Sequence, residues 1–207
     1  MPTPKLTTAL VCTLLCTTAL AQQKGTLTDT RDGKKYKTVK IGEQVWFAEN
    51  LNYEAGSICY DYEPANCNKY GRLYNWNTAK TVCPKSWHLP SNAEWDILYH
   101  YVDSTNGTGS PYESKTAGKF LKATSGWNSS GYSNGNGTNA YGFSALPGGI
   151  GYSTGHFSSI GDYGYWWSTS EINIDYAYSR SIDYHTERAR YYDDNKNLLF
   201  SVRCVKD

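Results

Sequence analysis

The chain reads as an α+β fold with a mixed or antiparallel sheet, two to three short helices and long Gly/Tyr-rich loops. Three observations predict it. Alternating runs rich in β-branched and aromatic residues sit at both ends of the chain and are separated by turn signals. One strongly signalled helix opens in the middle, at Ser91. Between that helix and the last strand-like runs, residues 125–164 are dominated by Gly, Ser, Asn and Tyr.

Residues 1–21 are expected to be an export leader and not part of the fold. Lys5 precedes an apolar stretch from Leu6 to Leu20, and Ala19-Leu20-Ala21 is an A-x-A cleavage signal. The stretch is too short to span a bilayer. Val11 precedes Cys12 and Leu15 precedes Cys16, so neither cysteine has the small residue that a lipid-attachment site needs before it. Cleavage after Ala21 leaves residues 22–207, the size of one domain, secreted or held at the cell surface.

The elements follow in order. Gly25 to Tyr53 reads as a β-meander: Thr26–Asp29, a turn at Thr30-Arg-Asp-Gly33, Tyr36–Ile41, a turn at Gly42-Glu43, then Gln44–Phe47. Within the second strand Tyr36 and Thr38 share one face, and Val39 and Ile41 the other. Gly71 to Lys80 predicts a short helix from the spacing of Leu73, Trp76 and Ala79. The next helix has Ser91 as N-cap, Glu94 completing a capping box, and Trp95, Leu98, Tyr99 and Val102 as one apolar stripe. A third short helix is expected over Thr116 to Ala123. The last part reads as strands at Tyr165–Thr169, Tyr176–Ile182, Ala189–Tyr192 and Leu199–Val205, with Asp193–Asn197 as the final turn.

The formal net charge is +1. That balance steers the protein toward neither nucleic acid nor an anionic membrane. The nineteen Tyr, seven Trp and nineteen Gly suit a rigid, loop-rich recognition surface, although a β-rich core with tyrosine at its rim accounts for part of the count. Four cysteines follow the leader: Cys59, Cys67, Cys83 and Cys204. An even number in an exported chain implies two disulfides, and three pairings are possible. Cys59–Cys67 and Cys83–Cys204 is the expected one. Cys59 and Cys67 flank a short loop with a turn at Glu63-Pro64, and the second pair closes a very long loop. The spacings lack the paired C-x2-C knuckles of a zinc site.

No catalytic set emerges. Gly151-Tyr-Ser-Thr-Gly155 matches the G-x-S-x-G pattern, but that pattern exposes its serine only at a strand–turn–helix junction, and this is a Gly-rich loop. The four histidines His88, His100, His156 and His185 are scattered, so no metal is expected. His88 reads as a structural hydrogen-bonding residue at the helix start. Asp193-Asp194-Asn195 offers oxygens for calcium but too few of them, and a solvated turn is the simpler reading. Trp166 and Trp167 point to opposite faces of a strand, so at least one belongs to the core.

In combination, Thr28–Gly33, Val45–Tyr53, Tyr70-Gly-Arg-Leu-Tyr74, Val82-Cys-Pro84, Trp87–Ser91, Asn139–Pro147, Tyr165–Thr169 and Phe200-Ser-Val-Arg-Cys-Val205 resemble the Fibrobacter succinogenes major paralogous domain. The resemblance covers nearly the whole chain after the leader. It implies an exported bacterial protein, similar to the C-type-lectin-like and formylglycine-generating-enzyme superfamily. In that superfamily a bridge ties the chain end to its middle, and long loops carry the ligand site. By that analogy residues 128–194 are the candidate surface. Departures count against specific chemistries. Glu63-Pro-Ala-Asn66 and Trp167-Ser-Thr169 break the calcium motifs of sugar-binding lectins, and the reactive cysteine pair of the oxidases is missing.

The expected function is therefore a non-catalytic extracellular binding module that recognises polysaccharide and contributes to cell-surface adhesion, with no cofactor. The candidate ligand-binding residues are Tyr152, His156, Phe157, Tyr163, Tyr165, Tyr184, Tyr191 and Tyr192. Planar rings cover sugar faces at low entropic cost, and phenols add hydrogen bonds. The alternative partner is a surface protein, bound through a stretch from Glu171 to Asn197 that resembles the tolerant surface of lectin-fold variable proteins. A hydrolase built on Ser153 is the remaining reading. The sequence specifies no oligomeric state.

Overall fold

The computed structural model describes residues 22–105, 114–129, 131 and 134–207. The expected leader, residues 1–21, and the loop aromatic Tyr132 lie outside the described residues.

The N-terminal meander forms as the alternation predicts: β1 (Lys24–Thr28), β2 (Lys35–Ile41) and β3 (Gln44–Phe47) pair antiparallel. Gly42 turns β2 into β3 at φ 59, a conformation only glycine adopts without strain. The short last strand, β10 (Val205–Lys206), enters this sheet between β3 and β4 (Trp87–His88), giving the order β1-β2-β3-β10-β4. Tyr36 and Phe47 stack on one side at 4.9 Å, while Val39, Ile41 and Trp46 pack on the other. Both faces of β2 are therefore buried.

The capping box is present. Glu94 N donates to Ser91 Oγ at 3.3 Å, and Ser91 N donates to Glu94 Oε2 at 2.8 Å, at the start of the helix that runs Asn92–Thr105. The stripe of Trp95, Leu98, Tyr99 and Val102 is buried. Three other helices are short: α1 (Pro64–Tyr70), α2 (Trp76–Ala79) and α4 (Ala117–Leu121), which makes the capped helix α3. Two expectations need correction here. Glu63-Pro64 begins a helix and is not merely a turn; proline at the first helical position lacks only an N–H that would go unbonded anyway. The helix expected over Gly71–Lys80 shrinks to Trp76–Ala79, because Leu73 and Tyr74 bridge to Ile58 and Phe200. Asn75 caps it, accepting from Thr78 N at 2.9 Å.

β7 (Tyr163–Glu171), β8 (Tyr176–Asp183) and β9 (Ala189–Asn195) form an antiparallel meander. β9 runs through Asp193–Asn195, so the expected final turn starts later, at Lys196. The expected strand Leu199–Val205 is regular only at its end. Leu199, Phe200 and Ser201 bridge one each to Gly151, Tyr74 and Trp166, because this segment threads between the sheets and does not follow one of them. Trp166 and Trp167 are both fully buried. β7 lies between two apolar clusters, with Trp166 in one and Trp167 in the other.

Both expected disulfides form, Cys59–Cys67 and Cys83–Cys204. Beside Cys204, the buried Arg203 donates to Asn50 Oδ1, Phe47 O, Phe143 O and Ser144 O, and Asn50 Oδ1 also accepts from Trp166 Nε1 at 2.9 Å. Burial presses the guanidinium pKa below its usual range, and neutral oxygens satisfy it. This hub joins β3, the 143–144 loop and β7. Among the described residues no helix is long and apolar enough to cross a membrane.

Candidate functional site

The Gly-rich segment contains a two-stranded hairpin, β5 (Ile150–Gly151) and β6 (Phe157–Ser158). Its turn holds the G-x-S-x-G pattern. Tyr152 N donates to His156 O at 2.8 Å and Gly155 N to Tyr152 O at 2.9 Å. Ser153 thus sits in a β-hairpin turn, not at the strand–turn–helix junction that a nucleophile elbow requires. Gly149, at φ 70, docks the hairpin: its N donates to Tyr163 O at 2.9 Å, and a Cβ there would meet Ser158 O at 2.6 Å.

Pairing in the β7–β8–β9 sheet sorts the candidate residues onto two faces. Tyr165 stands opposite Ser181, Ser179 opposite Tyr192, and Ala177 opposite Asp194. Alternation then puts Tyr163, Tyr165, Tyr192 and Asp194 on one face. Trp166, Arg180 and Tyr191 form a row on the other.

On the first face a ladder of rings climbs from core to surface. Trp167 packs on Phe200 at 4.5 Å, Phe200 stacks on Tyr165 at 5.0 Å, and Tyr165 stacks on Tyr163 at 5.5 Å, nearly parallel at 13°. His185 meets Tyr163 edge-on at 6.4 Å. Tyr192 and Tyr152 are exposed beside it, and His156 lies 5.9 Å from Tyr152. Burial raises the Tyr165 phenol pKa, and Tyr163, Asp194, Tyr192 and Tyr152 raise it further, which places all four around it.

Asp194 is the polar member of this face. Burial raises its carboxyl pKa, and the Ser179 hydroxyl, donating at 2.5 Å, offsets only part of that. No ion pair neutralises it among the described residues. A half-buried carboxylate beside tyrosine rings is a hydrogen-bond acceptor for hydroxyl groups. The turn-like composition of Asp193–Asn197 hides this strand position, although Asp194 stands two residues from Tyr192 and so shares its face. Asp183 is different. Although burial opposes ionisation, Thr186 and Arg190 hydrogen bonds hold its pKa down, which makes it a structural anchor for the 183–186 turn.

Three expected site residues fall elsewhere. Phe157 is only 8 % exposed, packed between Tyr60 and Tyr62 at 5.1 Å from each, because Gly151 opposite it leaves room for the ring to turn inward. Tyr184 is partly buried against the cluster that contains Trp127 and Ala189. Tyr191 points to the other face, 5.5 Å from the Arg180 guanidinium. Among the described residues, no group of three or more His, Cys, Asp or Glu side chains is placed to hold a metal ion.

A family model described as the Fibrobacter succinogenes major domain matches residues 39–206. The chain belongs to that family. The matched span runs from β2 to β10, so this Fibrobacter major domain includes both disulfides and the whole aromatic ladder. No curated protein and no solved structure matches the chain.

Proposed function

We propose that this family member is a non-catalytic extracellular binding module that recognises polysaccharide and supports cell-surface adhesion. The observation that carries the reading is the face of Tyr163, Tyr165, Tyr192 and Tyr152 around the uncompensated Asp194 carboxylate. The rings offer flat apolar area to a sugar face, and the carboxylate accepts its hydroxyls. Two disulfides fit an oxidising, extracellular location after removal of residues 1–21. A C-type-lectin-like fold is our reading of the topology, supported by the insertion of β10 into the N-terminal sheet and by the Cys83–Cys204 tie from chain end to middle.

The test is retention on insoluble cellulose and xylan and on a glycan array, with and without chelator. Retention that chelator leaves unchanged supports the reading. Retention that chelator abolishes replaces the aromatic site with a metal site, and silence on every glycan overturns polysaccharide recognition.

One observation favours a protein partner as the second reading. The β7–β8 connection displays Ile174 at 84 % exposure, with Ile172 and Tyr176 also exposed. The buried Lys196 holds this tip rigid by donating to Glu171 Oε1, Asn173 O and Ile174 O. An ordered, apolar tip loses little entropy on docking. Silence on glycans together with capture of a surface protein that Ile174→Asp abolishes would establish it.

A further inference from the structure

The second face of the β7–β8–β9 sheet carries the row of Trp166, Arg180 and Tyr191. Between it and α3 lies a cavity of about 710 Å³, within the range of small-molecule sites. Ala93, Ile97, Tyr99 and Tyr191 give it mostly apolar walls, and Glu43, Asp96, Arg180 and Arg190 are its charged members. Arg180 is 2 % exposed and lies between two rings, 5.8 Å from Tyr99 and 5.5 Å from Tyr191. Its Nη2 donates to Asn92 O at 3.0 Å and to Asp96 Oδ1 at 2.9 Å. Among the described residues its Nε–H has no partner, and neither has the hydroxyl of the buried Tyr99. Two orphaned polar atoms on two residues that line one cavity are unusual, since buried polar groups nearly always find a partner.

We propose that this cavity binds a small aromatic carboxylate, whose carboxylate pairs with Arg180 and whose ring lies among Ile97, Tyr99 and Tyr191. The chemistry selects this class. Guanidinium recognises a carboxylate through two parallel N–H bonds, and here Nη2 is engaged while Nε is not. Asp96 is the resident anion on Nη2, and its side chain is 56 % exposed, so it swings into water at little cost. Its departure opens the guanidinium edge to an incoming carboxylate. A sugar would leave most of its hydroxyls facing apolar walls, so this site is distinct in chemistry from the outer tyrosine face.

The test is calorimetric titration of the purified protein with benzoate and 4-hydroxycinnamate, with benzamide as the uncharged control. The proposal expects 1:1 binding of the acids, at least tenfold tighter than benzamide. Asp96→Asn removes the competing anion and should tighten acid binding several-fold. Ala93→Trp fills the cavity from an exposed position on α3 and should abolish binding with an unchanged Tm. No binding of either acid, equal binding of acid and amide, weaker binding by Asp96→Asn, or full binding by Ala93→Trp would each overturn the proposal. Glycan retention by Ala93→Trp should equal that of the unaltered protein, so failure of one site does not imply failure of the other.

Discussion

Asp194 and Tyr163 show how alternation gathers a carboxylate and aromatic rings on one sheet face. The folded protein raises the Asp194 pKa by burial, so its charged form costs stability at neutral pH. That cost is relieved as pH falls through the folded pKa toward the ordinary value of 3.8. Asp194→Asn should therefore leave Tm at pH 7 equal or higher while weakening glycan retention several-fold. Loss of Tm with intact retention, read by calorimetry and pull-down, would make Asp194 a structural residue instead. The residue scale was only partly legible. The cysteine pairing and the capping box could be read from sequence, whereas which tyrosines are exposed could not. The inward turn of Phe157 could not, because the chain does not announce that Gly151 will stand opposite it. Nor could the Arg203–Asn50 hub, whose members are 153 positions apart.

At the scale of elements, the start of α3 is the best-specified point in the chain. His88 Nε2 lies 2.6 Å from Glu94 Oε1 and its Nδ1 2.7 Å from Asp207 Oδ1, which ties β4, α3 and the chain end together. Partial burial opposes the imidazolium, but the hydrogen bonds to Asp207 and Glu94 outweigh it and raise the His88 pKa above 6.5. A raised folded pKa means stabilisation that is complete below 6.5 and lost as pH rises through the folded value. The stability advantage of the unaltered protein over His88→Gln should thus be largest near pH 5.5 and shrink by pH 8.5. A difference that stays constant in denaturant melts across that range would contradict the charged pair. Helices and strands with strong periodicity were legible because burial on one face imposes the pattern. α2 and the last strand were misjudged because Leu73, Tyr74 and Phe200 are buried by bridges to distant segments, which no local period records.

The whole molecule is built around strands buried on both sides. β2 and β7 separate two apolar clusters, and the segment 199–205 threads between the three sheets. Cys83–Cys204 anchors that segment across 121 positions, whereas Cys59–Cys67 closes a loop of 8. The chain-entropy model gives about 5 kcal/mol for the long bridge and about 2–3 kcal/mol for the short one. Chemical denaturation should then show the Cys83→Ala/Cys204→Ala double variant losing more stability than Cys59→Ala/Cys67→Ala. Equal losses would mean that the threaded segment is held by packing and the Arg203 hub rather than by its bridge. Alternation along each strand predicts that tyrosines two apart share a face. Which face borders the α3 cavity and which the 150–158 hairpin depends on where those elements pack, and that is settled by tertiary structure. Tyr191 and Tyr192 accordingly serve different surfaces although they are adjacent in sequence.

The division of the sheet into two faces gives the most direct measurement: polysaccharide retention by Tyr152→Ala/Tyr163→Ala/Tyr192→Ala compared with Tyr191→Ala. The outer-face account predicts that the triple variant loses retention with a Tm close to that of the unaltered protein, and that Tyr191→Ala keeps it. Retention that survives the triple variant, or that disappears with Tyr191→Ala alone, would contradict it.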